Sequence, residues 1–163
     1  MKTLCRICFL LAIVSASSVQ AMPIEGCAAV EVTDNHGTKF TFWQHQFVDD
    51  TRDLVMSQSQ SSDIKRVTFS NNQACAYQVL AIAEGVGWGW HLAWADEQNI
   101  YYARMDGEAW VSSVPKKFAA DNVSELHFTQ EKSLLILSWQ AEGTGLCMQS
   151  DDEGRSWQAP IIK

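Results

Sequence analysis

Beyond residue 21 the apolar residues come in short bursts rich in Val, Ile, Phe, Tyr, Trp and Thr, and Gly, Asp, Asn and Ser separate them. Long windows with the 3.6-residue stripe of an amphipathic helix are hard to find. Strands joined by tight turns are the expected outcome. The bursts also repeat. Trp43 in Thr41-Phe42-Trp43-Gln44, Trp94 in Leu92-Ala93-Trp94-Ala95 and Trp139 in Leu137-Ser138-Trp139-Gln140 are 51 and 45 residues apart. That is the length of one four-stranded propeller blade.

Other features keep the same phase. Gly26-Cys27-Ala28-Ala29-Val30 and Ala74-Cys75-Ala76-Tyr77-Gln78 precede the first two tryptophans as similar strand openings. A polar turn and another apolar run follow each tryptophan: Leu54-Val55-Met56, Ile100-Tyr101-Tyr102 and Leu146-Cys147-Met148. The pattern predicts an all-β chain of three four-stranded antiparallel blades, spanning roughly 26–70, 71–118 and 121–163. Strands are expected near 27–33, 38–46, 53–58 and 64–70, then near 74–83, 89–95, 99–105 and 109–114. The last set is expected near 124–130, 133–140, 145–150 and 156–162.

The third repeat ends in Ser150-Asp151-Asp152-Glu153-Gly154-Arg155-Ser156-Trp157, an S-x-D-x-G-x-x-W turn. Ser150 and Asp152 carry short side chains suited to bonding nearby backbone N–H groups, and Gly154 supplies a positive φ. Trp157 returns a large apolar body to the core. This octapeptide resembles the Asp-box of the sialidase, or bacterial neuraminidase repeat, family, where it links the third and fourth strands of β-propeller blades. A shortened copy, Met105-Asp106-Gly107-Glu108-Ala109-Trp110, keeps Asp106, Gly107 and Trp110 in the second repeat. The first repeat has Ser57-Gln58-Ser59-Gln60-Ser61-Ser62-Asp63 there, without Gly or Trp. The resemblance implies a half-propeller or a small sialidase-like repeat fold. Three blades alone would leave the outer faces of the first and third exposed, so a homodimer completing a six-bladed ring is one expectation.

Residues 1–21 read as a cleaved signal peptide: Lys2 and Arg6, an apolar stretch from Ile7 to Val14, then Val19-Gln20-Ala21. The stretch is too short to span a bilayer, and the expected location is periplasmic or secreted. Two of the twelve basic residues lie in that leader, which leaves ten against nineteen acidic ones. Such an acidic chain is repelled by phosphate backbones and anionic lipid heads, so neither nucleic acid nor a membrane is an expected partner. Cys27, Cys75 and Cys147 remain beyond the leader. Sequence alone does not fix a pairing; the repeat phase favours a disulfide between Cys27 and Cys75. No Cys/His spacing suits a metal, and no cofactor is expected.

Sialidases hold the substrate carboxylate with three arginines, the first in a Phe/Tyr-Arg-Ile/Val-Pro motif, and this chain has no such motif. Beyond the leader it carries Arg52, Arg66, Arg104 and Arg155. Asp49, Asp50 and Asp53 supply carboxylates for glycoside hydrolysis in principle, but read better as an acidic loop. His45 and His91 lack a neighbouring nucleophile and orienting carboxylate. Ser112-Ser113 lacks nucleophile-elbow glycines. Asp151-Asp152-Glu153 lacks calcium-loop spacing. Asn122-Val123-Ser124 is a glycosylation sequon. The segment Gly85-Val86-Gly87-Trp88-Gly89-Trp90-His91 alternates glycine with aromatics; Trp90 reads as core and Trp88 as open to a ligand. Trp88, Tyr101 and Tyr102 are the candidate stacking groups, although the tyrosines also read as ordinary strand residues. The expected function is non-catalytic binding of a protein partner, one form being a periplasmic inhibitor or immunity protein. Glycan binding is the alternative, and a sialidase-related glycosidase a more remote one.

Overall fold

A computed structural model describes residues 27–48, 50–59, 61, 63–67, 79–86, 89–106, 111–112 and 114–163. All regular structure among them is strand: β1 (Val30–Thr33), β2 (Lys39–Gln46), β3 (Arg52–Gln58), β4 (Ile64–Arg66), β5 (Val79–Glu84), β6 (Trp90–Ala95), β7 (Asn99–Asp106), β8 (Val111–Ser112), β9 (Lys116–Ala119), β10 (Val123–Glu131), β11 (Leu134–Ala141), β12 (Thr144–Ser150) and β13 (Ile161–Ile162). They form three antiparallel sheets in sequence order, β1-β2-β3-β4, β5-β6-β7-β8 and β10-β11-β12-β13, with β9 also pairing on β7. The chain is therefore all-β with three blade-like sheets, as the tryptophan phase requires. The proposed signal peptide, residues 1–21, lies outside the described residues.

Several boundaries differ from the sequence expectation: β1 begins at Val30 and not near 27, β4 ends at Arg66, and two differences further along the chain fall at prolines. A single strand expected near 109–114 is instead two short ones. β8 pairs with Met105 and Asp106, while β9 pairs with Asn99 through Tyr102. Pro115 stands between them and cannot donate to a ladder. The last strand shrinks to Ile161–Ile162, directly after Pro160.

The innermost strands are β1, β5 and β10, and β5 touches both of the others. The second blade is thus the middle layer, buried on both faces. Toward the first blade it presents Leu80, Ile82, Leu92, Trp94 and Met105, which pack on Phe40, Phe42, Leu54 and Met56. Toward the third blade it presents Ala81, Ala83, Ala93 and Ala95 with Ile100 and Tyr102. The third blade answers with Phe128, Leu135, Leu137, Trp139 and Met148. Strand alternation places neighbours in opposite interfaces, Leu92 in one and Ala93 in the other. Each large aliphatic side chain removed from water there contributes about 1.5–3 kcal/mol before the entropy of ordering is subtracted.

The expected open outer face of the first blade is not what the structure shows. Trp43 and Val55, on the side turned away from the second blade, are buried within the single chain. Asp53 on that side is fully buried and paired with Arg66, whose guanidinium lies 4.3 Å from the Phe47 ring centroid. The third blade does carry exposed apolar surface, at Ile161 and Ile162 of its edge strand.

Candidate functional site

The Ser150–Trp157 turn is closed by its own side chains. Ser150 Oγ donates to Asp152 Oδ1 at 2.8 Å and accepts the Gly154 N–H at 2.8 Å. Asp152 Oδ1 also accepts the Ser156 N–H at 2.8 Å, and its Oδ2 accepts the Ser156 hydroxyl at 2.6 Å. The Ser156 hydroxyl and N–H lead in holding the Asp152 carboxyl well below its ordinary value, at about 2. With both oxygens so engaged, Asp152 is a turn-former, and Gly154 sits at φ 76°.

The turn docks on the second blade. A Cβ on Gly154 would collide with the Tyr102 hydroxyl and ring carbons, so only glycine permits this approach. Trp157 meets the Tyr102 ring edge-on at 5.0 Å and the Phe118 ring at 6.2 Å. Tyr102 Oη lies 2.8 Å from His91 Nδ1, and His91 Nε2 lies 3.3 Å from Glu153 Oε2. Histidine, tyrosine and glutamate together have the composition of a catalytic cluster. However, His91 and Tyr102 are each only 1% exposed, so a substrate has no route to them. They fasten the third blade to the second. Tyr102 is therefore corrected from a candidate stacking group to a core residue.

Tyr101 points to the opposite interface. Its ring stacks on Trp94 with centroids 5.5 Å apart and planes 11° apart, and the Lys117 ammonium lies 5.8 Å over it. Its hydroxyl donates to Asp96 Oδ2 at 2.8 Å. Burial, then that bond and the Asp96 charge, push the Tyr101 hydroxyl up. Partial burial pushes the Asp96 carboxyl up, but bonds from the Gln98 N–H, the Tyr101 hydroxyl and Asn99 outweigh it and leave it lowered. Tyr101 is half-buried with one face already covered. Trp88, Gly107, Trp110 and Cys75 lie outside the described residues, and Asp106 ends β7. Cys27 is buried, and Cys147 is a buried free thiol. No cluster of His, Cys, Asp or Glu among the described residues is arranged to hold a metal. Of the acidic loop, Asp53 is occupied by Arg66 and Asp50 accepts the Gln46 amide at 2.9 Å.

A concave site lies elsewhere, on the axis where the three inner strands converge. A groove of about 320 Å³ is lined by β1 and its turn (Val32–Asn35), β5 (Leu80–Ile82) and β10 (Leu126–Gln130). Leu80, Ile82 and Phe128 give it apolar walls; Thr33, Asp34, Asn35, Thr129 and Gln130 give it polar groups. The turn is held firmly. Asp34 Oδ1 accepts the His36 N–H at 2.9 Å and the Thr38 N–H at 2.7 Å. Asn35 Oδ1 accepts the Glu84 N–H from the second blade at 3.0 Å, and His36 Nε2 lies 3.5 Å from Glu84 Oε2. From the third blade, the Gln130 amide lies against the Glu84 carbonyl and the Val86 N–H, and satisfies both when its nitrogen is assigned to the carbonyl and its oxygen to the N–H. Asp34 is only 7% exposed, and its Oδ2 has no donor among the described residues.

No protein-family model matches the chain, and no curated protein matches it. Among solved structures it is similar to a fucose lectin from Kordia zhangzhouensis in complex with methyl-fucoside. That likeness has 11% identity and a TM-score of 0.41, over 83% of this chain and 97% of that one. A likeness of that size transfers no site. The groove rests on its own geometry.

Sequence reasoning missed Asp34, Asn35 and Gln130. Asp34-Asn35-His36-Gly37 reads as an ordinary hairpin turn. Its role depends on strands that arrive some fifty and ninety residues later in the chain.

Proposed function

We propose that this chain is an exported, non-catalytic binding module of Asp-box type, and that it seats a small glycan unit in the axial groove. The observation that carries this reading is the groove itself: a concavity of about 320 Å³ with apolar walls and exposed polar side chains at Thr33 and Asn35. A sugar ring offers an apolar face to such walls and hydroxyls to such polar side chains. The groove lies near the lower end of the usual ligand-pocket range, which suits one or two rings. Isothermal calorimetry of the purified protein against neutral mono- and disaccharides should give at least one binder, and Thr33→Arg, which crowds the groove from an exposed lining position, should weaken it tenfold or more. A panel without binders would remove the reading.

A protein partner is the second reading, and one observation favours it. The edge strand β13 presents Ile161 and Ile162, 55% and 74% exposed, at the open edge of the third blade. A homodimer is one form of that reading. A pull-down with the wild type that recovers a specific protein, lost in an Ile161→Lys/Ile162→Lys variant, would place the partner there. Light scattering that returns a strict monomer would dispose of the dimer.

A further inference from the structure

Resting on the glycan reading, we infer that His127 is the residue of the axial groove that reads the sugar, through a hydrogen bond between its imidazole and a ring hydroxyl. The third-blade wall of the groove is β10, from Leu126 to Gln130. That strand carries an irregularity just before His127. Ser124 pairs with Gln140 and His127 with Ser138, so Glu125 and Leu126 together oppose the single Trp139. One extra residue on one strand of an antiparallel pair is a β-bulge, a device that re-aims the side chains after it. Glu125 makes the bulge at φ 56°, a left-handed position that disfavours a residue with a Cβ.

The bulge decides which side chains face the groove. Val123 packs on the core between the second and third blades. Strict alternation from Val123 would turn residues 125 and 127 into that core and Leu126 and Phe128 away from it. The extra residue resets the phase. Leu126 and Phe128 are buried in the core, and His127 is exposed on the opposite side of the strand. Two of the other polar lining groups already serve as ties between blades. Asn35 Oδ1 accepts the Glu84 N–H, and the Gln130 amide lies against the Glu84 carbonyl and the Val86 N–H. His127 and Thr33 are exposed on β10 and β1, the strands that flank β5. Thr33 brings one rotating hydroxyl, which adapts to a ligand more than it selects one. A neutral imidazole brings a nitrogen donor and a nitrogen acceptor fixed in one plane, which favours particular hydroxyl positions on a ring seated against the apolar walls.

The test is calorimetry of the purified protein with glucose, galactose, mannose, maltose and lactose, repeated on variants with whichever of these binds most tightly. His127→Ala should weaken that sugar about three- to tenfold, as expected for one lost hydrogen bond. Its thermal midpoint should stay at the wild-type value, because the side chain is exposed. His127→Phe keeps a flat ring without nitrogen and should bind as weakly as His127→Ala. A carboxamide nitrogen stands close to the place of Nδ1 in His127→Asn and of Nε2 in His127→Gln, so one of these two should hold the affinity within about twofold of wild type. Wild-type affinity in His127→Ala or His127→Phe, with Thr33→Arg still weakening the sugar, overturns the inference and leaves the glycan reading standing. Loss in both carboxamide variants also overturns it, since a hydrogen-bonding role would survive in one. If none of the five sugars binds, the glycan reading falls and the role of His127 falls with it.

Discussion

The second blade meets its two neighbours in different ways. Against the first blade it places Leu80, Ile82, Leu92, Trp94 and Met105, and the joint is large side chain on large side chain. Against the third it places four alanines, and the third blade's Phe128, Leu137, Trp139 and Met148 come close to its backbone. Among the described residues the second joint carries a buried polar fastening, in which Gly154 of the turn presses on Tyr102 and Glu153 reaches His91. The first joint therefore depends mainly on apolar volume. The second depends on shape, on one glycine and on a small hydrogen-bonded group. Volume-driven contacts tolerate repacking, whereas close backbone approach does not.

Substitutions at each joint test that contrast. The largest effect is expected from Leu92→Ala, a cavity at the first joint that should cost about 2–5 kcal/mol by denaturant unfolding. Leu92→Met should cost under about 1.5 kcal/mol. At the second joint, Gly154→Ala should cost about 2–4 kcal/mol, since it combines a left-handed backbone position with a collision against Tyr102. Tyr102→Phe removes the nearest colliding atom but leaves ring carbons in the way, so a double-mutant cycle should show partial coupling between the two sites. Additive losses would mean the turn does not dock there. Ala93→Leu should cost about 1–3 kcal/mol by pushing the third blade away. A loss no greater than that of a surface substitution would erase the distinction between the joints.

The smallest effect is a pH dependence. Asp152 has a folded value depressed from 3.8 to about 2, so its stabilising contribution is complete above the unfolded value and is lost as pH falls through the folded one. Unfolding followed between about pH 4 and pH 2 should show this loss, and Asp152→Asn should flatten it within that window. An unchanged profile in the variant would mean that the turn is not held by the charged carboxylate.

Much of the architecture was legible in the chain because the tryptophans mark one strand per blade at blade-length spacing. The fourth strands were less legible. Their pairing is short, and Pro115 and Pro160 decide where it begins. Tyr102 was misjudged because Ile100-Tyr101-Tyr102 sits in a blade covered on both sides, where the usual inside–outside alternation disappears. The closure of the turn at Ser150–Trp157 was readable in kind, since the side chains that close it lie within a few residues, whereas its docking on Tyr102 and His91 was not. Asp34 was not. Nothing next to it in sequence marks the groove it borders, which exists only when β5 and β10 arrive beside β1.

The alanine face of the second blade also bears on the order of events during synthesis. It is made well before the strands that cover it, and β10, β11 and β12 belong to the last part of the chain to appear. Until they do, Ala81, Ala83, Ala93 and Ala95 leave a nearly bare backbone surface in water, with little side-chain bulk to attract a wrong partner. The third blade can then form from its own neighbours, because Lys132 and Glu142 already occupy left-handed positions in its two tight hairpins. A ribosome pause before residue 123 would hold the chain with one joint made and the other waiting.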